Sequence, residues 1–195
     1  MPRRVDHDVR RREIGEALLR IAYAKGLQAA SMREVAAEAG VSLRLVQYYF
    51  HTKDELLVAG LAYLGEQLSA RVESHIRALG TPPTPRGMVY GTLTAILPTD
   101  EESRRLTRTY AAYYTLVLAT PGMATEHGTA YPDLLERFLA KQLAAGGACA
   151  PDESATVAAG LLAMTNGLGS SVLGGQRDGA AALAVLTYHL DRLFV

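Results

Sequence analysis

A single cysteine in 195 residues is the first constraint on this chain. Cys149 alone closes no internal disulfide, and one thiol fits a reducing cytoplasm. It lies in a Gly/Ala/Pro stretch with no base beside it, which reads as an ordinary thiol rather than a nucleophile. No run of eighteen apolar residues occurs, so no transmembrane helix is expected. The N-terminus, MPRRVDHDVRRREIGEALL, is basic but lacks the apolar core of a signal peptide. Net charge is also missing: 20 Lys and Arg balance 20 Asp and Glu, so the total does not announce a nucleic-acid partner. The distribution says slightly more. Residues 1–60 hold ten basic and eight acidic side chains, and Arg3, Arg4, Arg10, Arg11 and Arg12 fall within the first twelve positions. That polarity agrees with an N-terminal end facing DNA. Catalytic signatures are absent too. There is no GxSxG, HExxH, Walker or GxGxxG string. The five histidines are scattered without an i,i+4 pair. The expectation is no enzyme, no catalytic residue, no metal site and no cofactor.

What the chain does have is concentrated between Ser31 and Leu57, SMREVAAEAGVSLRLVQYYFHTKDELL. Ser31 and Glu34 have the S-x-x-E spacing of a capping box. Met32, Val35, Ala36 and Ala39 make the apolar face of the short helix that follows, and Gly40 ends it. Ser42 is placed to cap a second helix from Leu43 to about Phe50. Thr52 and Glu55 are spaced as another box, opening a third. Helix, glycine turn, helix is the plan of a helix-turn-helix. The outward face of its second helix carries Leu43, Arg44, Gln47 and Tyr48 and no carboxylate. Arg and Gln are side chains that read base edges bidentately.

The string Ala39-Gly40-Val41-Ser42, then Tyr49-Phe50, then Lys53-Asp54-Glu55-Leu56 resembles the N-terminal region of the TetR family of bacterial repressors, over about residues 10 to 60. The segment departs from the family pattern inside the recognition helix. Gln47 stands where the family usually has Tyr, and Arg44 where Gly or a small residue is common. Those departures leave the fold implied but the operator sequence open. The resemblance implies a DNA-contacting set of Ser31, Arg33, Ser42, Leu43, Arg44, Gln47, Tyr48, Tyr49, His51 and Lys53. Lys53 carries a cation into the first turn of a helix, against the dipole. Such a position makes sense if Lys53 grips a phosphate.

The remaining periodicity is helical throughout, with no strand-like alternation and no repeat. The expected fold class is all-α, about nine helices, with a three-helix head and a larger helical effector-binding and dimerisation domain. A first helix spans about Asp8 to Ala24. The head ends at residue 52, and the second domain takes residues 53–195. Its first helix, 53–79, is roughly 40 Å long and links the two. Thr81-Pro82-Pro83-Thr84-Pro85 is a stiff break. Helix five follows to Leu97. Thr99 and Glu102 are spaced as a third box ahead of helix six. Pro132 lies inside helix seven, where a kink or restart is expected near Tyr131. Asp152 is placed to cap helix eight and Asp178 helix nine. Leu97-Pro98, the tyrosine-rich helix six and Asn166-Gly167-Leu168 resemble the C-terminal domain of betaine-regulator-like members of the same family.

Two features of that second domain bear on function. Tyr110, Tyr113 and Tyr114 share a helix flank, with Tyr90, His127, Tyr131 and Asn166 available from other helices. Two readings fit: a core with phenols at its edge, or the lining of a pocket for a neutral or cationic organic effector. Helices eight and nine are dominated by Gly and Ala, which permits close helix approach and leaves an apolar patch typical of an interface. The resemblance implies a homodimer through these helices, with Gly160, Ala163, Met164, Gly167, Leu183 and Leu186 at the interface. The whole then reads as a ligand-responsive repressor, a homodimer on a double-stranded, near-palindromic operator. The alternative is an all-helical carrier or enzyme that keeps a non-functional head.

Overall fold

The computed structural model describes residues 2–80, 82–119 and 126–194, with side chains described from residue 7 and not for 126–130. Among them are nine α-helices and no strand: α1 (Pro2–Lys25), α2 (Met32–Glu38), α3 (Leu43–Tyr49), α4 (Lys53–Ala78), α5 (Pro85–Ala95), α6 (Glu101–Ala119), α7 (Glu126–Ala145), α8 (Ser154–Leu173) and α9 (Gly179–Leu193). A single 3-10 turn, Leu27–Ala29, joins α1 to α2. The all-α expectation holds, and most boundaries fall within a few residues of the periodicity. α1 is longer than its apolar stripe, because Pro2 is well tolerated at a helix start.

The chain divides into two compact units, Met1–Gln67 with Thr109–Thr129, and Leu68–Arg108 with Ala130–Val195. In the first, α1 buries Ile14, Ala17, Leu18 and Ile21 in a core with Val35, Ala36, Val46, Phe50, Leu56 and Leu64. The α2–α3 turn closes as the sequence implies. Gly40 takes φ 66°, a region closed to most L side chains. The Val41 N–H reaches back to the Ala36 carbonyl and the Gly40 N–H to that of Ala37, the paired bonds of a Schellman motif. In the second unit, Val89, Leu93 and Leu97 pack with Leu139 and Leu143, Leu161, Leu162 and Leu168, and Leu186 and Leu190. α9 there contacts both α5 and α8. α8 is long and apolar enough to cross a membrane by length and composition, although it contains no unbroken apolar run. Its leucines are spent on this core.

Three local expectations are corrected, and at Pro132 one of the two expected outcomes, the restart, does not occur. Thr52 accepts the Glu55 N–H, but the Glu55 carboxylate passes over Thr52 and accepts the His51 N–H at 3.0 Å. α6 is capped by Asp100, whose carboxylate accepts the Ser103 N–H at 2.8 Å, rather than by Thr99. Glu102 is drawn away from any box because Arg71 donates to it at 2.6 Å. α8 begins at Ser154 with no side-chain cap, since Asp152 lies inside a tight turn closed by the Glu153 N–H on the Ala150 carbonyl. α7 runs through Pro132 without a restart. The bond lost to proline is offset by the burial of Leu135, Leu139 and Leu143 on the same helix.

Candidate nucleic-acid interface

Two short helices, α2 and α3, present much of the head's polar surface, and caps set their starts. The Ser31 hydroxyl accepts the Glu34 N–H at 3.2 Å, while the Glu34 carboxylate accepts the Ser31 N–H at 3.2 Å. The Ser42 hydroxyl accepts the Leu45 N–H at 3.2 Å. Both serines expected to touch DNA are thus also the N-caps of α2 and α3. The bond from the Ser31 N–H holds the Glu34 carboxyl below its usual range. The His51 N–H does the same for Glu55.

α3 turns Val46 and Phe50 into the core with no exposed area. At 3.6 residues per turn this puts Arg44, Gln47 and Tyr48 outward, and all three are exposed, Tyr48 at 65%. Leu43 and Tyr49 are half-buried at its flank. Arg33 on α2 and Lys53 at the first turn of α4 are exposed. Among the described residues no hydrogen bond or ion pair holds Arg33, Arg44, Gln47 or Lys53. His51 is exposed, with its Nδ1 3.3 Å from the Glu55 carboxylate. The surface therefore offers two guanidinium groups, an ammonium, an amide and a phenol, and α3 itself carries no carboxylate. Such a set suits phosphate contacts at the edges with base-edge contacts between them.

The first twelve residues are less free than their charge implies. Arg10 pairs with Glu13 at 2.6 Å and Arg12 with Glu66 at 2.5 Å. Arg11 donates to the Tyr49 carbonyl at 2.5 Å. The side chains of Arg3 and Arg4 lie outside the described residues.

The residues expected to form an effector pocket belong to both units. On α6 of the first unit, Tyr113 is 2% exposed, Tyr110 is half-buried and Tyr114 faces solvent. Burial raises the phenol pKa of both Tyr113 and Tyr110, so both stay neutral. The Tyr113 hydroxyl has no hydrogen-bond partner among the described residues. It points at Gly60 of α4: a methyl group there would sit 2.3 Å from its oxygen and 2.1 Å from a Leu18 methyl. Tyr113 is therefore a core residue of the first unit in this structure. In the second unit, Tyr90 and Tyr131 are partly buried against the core. Tyr90 also lines a groove of about 460 Å³ with Leu79, Pro82, Pro83, Arg86 and Thr187. Asn166 faces solvent, and the side chain of His127 lies outside the described residues.

The residues expected at a dimer interface divide by exposure. Gly160, Ala163 and Gly167 form one exposed stripe on α8, where a methyl on either glycine would meet nothing within 4 Å. Met164 and Leu183 are partly buried against the unit's own core. Leu186 is 0% exposed. It faces that core and not an interface, because α9 turns its Ala182, Leu186 and Leu190 stripe inward.

Sequence reasoning missed Arg71, 7% exposed in its side chain, which donates to the Ala95 carbonyl at 2.8 Å and pairs with Asp100 and Glu102. A signal existed. Arg71 stands seven residues after Leu64, on the inward stripe of α4, where a charge needs a partner.

The first 60 residues thus fold as a capped helix-turn-helix with an open polar face, followed by a helical bundle. Residues 14–59 match the model of the bacterial regulatory proteins of the tetR family, and residues 85–195 match that of the BetI-type transcriptional repressor C-terminal domain. The transcriptional regulator PksA of Bacillus subtilis is 35% identical over 114 residues, 58% of this chain and 54% of PksA, so the match spans about half of PksA. The regulator BetI of Rhizobium meliloti is 28% identical over 170 residues, covering 86% of this chain and 80% of BetI. Among solved structures, the multidrug binding protein EbrR complexed with ethidium is 28% identical, with a TM-score of 0.69 over 92% of this chain and 97% of EbrR. Head, bundle and both model matches agree, and the chain belongs to the TetR family of transcriptional regulators, with a repressor-type, BetI-like C-terminal domain.

Proposed function

We propose that the chain is a homodimeric, effector-responsive repressor, acting by binding rather than catalysis, in the cytoplasm. Residues 1–52 bind the operator, and residues 53–195 bind the effector and dimerise, with the helix over 53–79 linking the two. Each subunit lays α3 in a major groove, and a two-fold axis matches two half-sites of a near-palindrome. The observation that carries this reading is the exposed, carboxylate-free face of Arg44, Gln47 and Tyr48, flanked by exposed Arg33 and Lys53. Arg44 and Gln47 read base edges. Arg33, Lys53, His51, Tyr49 and the capping hydroxyls of Ser31 and Ser42 hold the backbone.

Tyr90 and Tyr131, half-buried in the second unit, are the phenols best placed to meet an effector there. EbrR holds ethidium, a planar organic cation, and phenol faces attract cations. An aromatic cation is therefore the first effector class to try.

The test begins with a duplex that the wild-type chain selects from a random library. Arg44→Ala should cost roughly 1–3 kcal/mol on that duplex and relax preference at one or two positions. Equal loss on selected and random duplexes would reduce Arg44 to a phosphate contact. Ethidium is then titrated with and without the selected duplex. Linkage requires bound DNA to weaken the effector by the same factor as the effector weakens DNA. Equal ethidium affinities in the two titrations would remove it as a switch.

A further inference from the structure

The C-terminal end of the recognition helix is held from outside itself. α3 has seven residues and no basic side chain in its last turn. Helices this short are marginal alone, and their last carbonyls lack intrahelical partners. One of those carbonyls, Tyr49, accepts the Nη1 N–H of Arg11 at 2.5 Å, from 38 residues earlier in the chain. The same guanidinium lies 4.4 Å from the ring centre of Phe50, the fully buried residue that ends α3. One turn before Arg11 on α1, the His7 ring meets the Tyr49 ring edge-on at 4.6 Å, and the Tyr49 ring meets that of Tyr48 at 5.2 Å. His7 and Arg11 therefore share a face of α1 and grip the backbone, the terminal ring and the outward phenol of α3. A cation at this end also complements the helix dipole.

α1 is itself fixed to α4. Tyr63 of α4 lies where a side chain on Gly15 would be, a methyl there falling 2.0 Å from its ring. Arg12 covers the Tyr63 ring at 5.3 Å and pairs with Glu66 at 2.5 Å.

We infer that Arg11, with His7 one turn before it, is a positioning residue for DNA reading: it sets the angle and end of α3 through the Tyr49 carbonyl and Phe50, and binds no phosphate itself. Its charge is spent inside the head, unlike the charges of Arg33, Arg44 and Lys53. The inference rests on α3 being the reading helix, and the test separates the two claims.

Wild-type chain, Arg11→Ala and Lys53→Ala are compared on the selected duplex and on a random duplex across a salt series. Loss of a phosphate contact lowers the slope of log affinity against log salt by about 0.9. Loss of helix position removes base contacts and leaves that slope intact. The expected result for Arg11→Ala is a tenfold or greater fall on the selected duplex, with random-duplex affinity and slope unchanged. A ratio of affinities is insensitive to the folded fraction, so a merely structural role would not move it. Should Arg11→Ala not fold, Arg11→Gln and His7→Ala carry the same comparison, with a fall in the ratio again expected. A slope reduced by about one, with equal loss on both duplexes, would make Arg11 a phosphate ligand and overturn the inference. An unchanged ratio would overturn it as well. Failure of α3 as the reading helix shows differently: Arg44→Ala would then leave the ratio untouched whatever Arg11 does.

Discussion

Lys53 and Tyr113 show how differently two polar side chains can be placed. Lys53 is exposed at the first turn of α4, beside Asp54 and Glu55 and with no hydrogen-bond partner among the described residues. Its position opposes the helix dipole, a local cost that a phosphate contact would offset. Lys53→Ala should weaken binding to selected and random duplexes alike and lower the salt slope by about one; an unchanged slope would take Lys53 off the interface. Tyr113 is the opposite case. Its hydroxyl is buried without a partner among the described residues, which costs desolvation on the order of 1–3 kcal/mol. Tyr113→Phe keeps the buried ring and removes that cost. It should raise the denaturation midpoint, by an amount equivalent to roughly 1 kcal/mol. A lower midpoint would mean that the hydroxyl has a partner in solution, and an effector would be the first candidate.

Among elements, the second unit's stretch of α4 is tied to the start of α6 through one buried arginine. Arg71 donates to the Ala95 carbonyl and to Asp100 and Glu102. Burial alone would push the Asp100 carboxyl up, but the Ser103 N–H and the Arg71 guanidinium outweigh it and hold it below the usual carboxylate range. A carboxylate whose pKa is depressed by folding adds stability that is fully present above its unfolded value, about 3.9. That stability is lost as the pH falls through the lower, folded value. Wild-type stability should therefore drop below about pH 4, and Asp100→Asn should flatten that part of the curve while lowering the plateau above it. Acid curves of equal slope for the two chains, measured by denaturant titration, would show that this carboxylate is not linked to folding.

For the whole molecule, the question is what covers the exposed small-residue stripe of Gly160, Ala163 and Gly167. Open space at both glycines leaves room for a second helix to approach closely. A carboxylate introduced there, as in Gly160→Asp or Gly167→Asp, should split the proposed dimer. It should abolish operator binding at the same time, because one head cannot span half-sites about 34 Å apart. Sedimentation of the wild-type chain and the variants decides this. A wild-type monomer at micromolar concentration would defeat the proposal.

What the sequence determined by itself lies within one or two helical turns. The Ser31–Glu34 box, the Ser42 and Asp178 caps and the Gly40 turn close between residues at most five apart. Local spacing was enough to read them. The outward face of α3 was read as Leu43, Arg44, Gln47 and Tyr48, of which the last three are exposed. Tertiary structure decided wherever two partners compete or lie far apart. Glu102 had the spacing for a box with Thr99, but Arg71 claims it from 31 residues away, and the cap moves to Asp100. Leu186 read as interface until α9 turned it into its own core. Tyr113 read equally as core or pocket, and only folding brought its hydroxyl against Gly60. Arg11 read as one of five basic N-terminal charges until folding brought it to the Tyr49 carbonyl. A cap is chosen by chain geometry, since its partners cannot drift apart. An ion pair or a ring contact across helices is chosen by packing, which no spacing along the chain records.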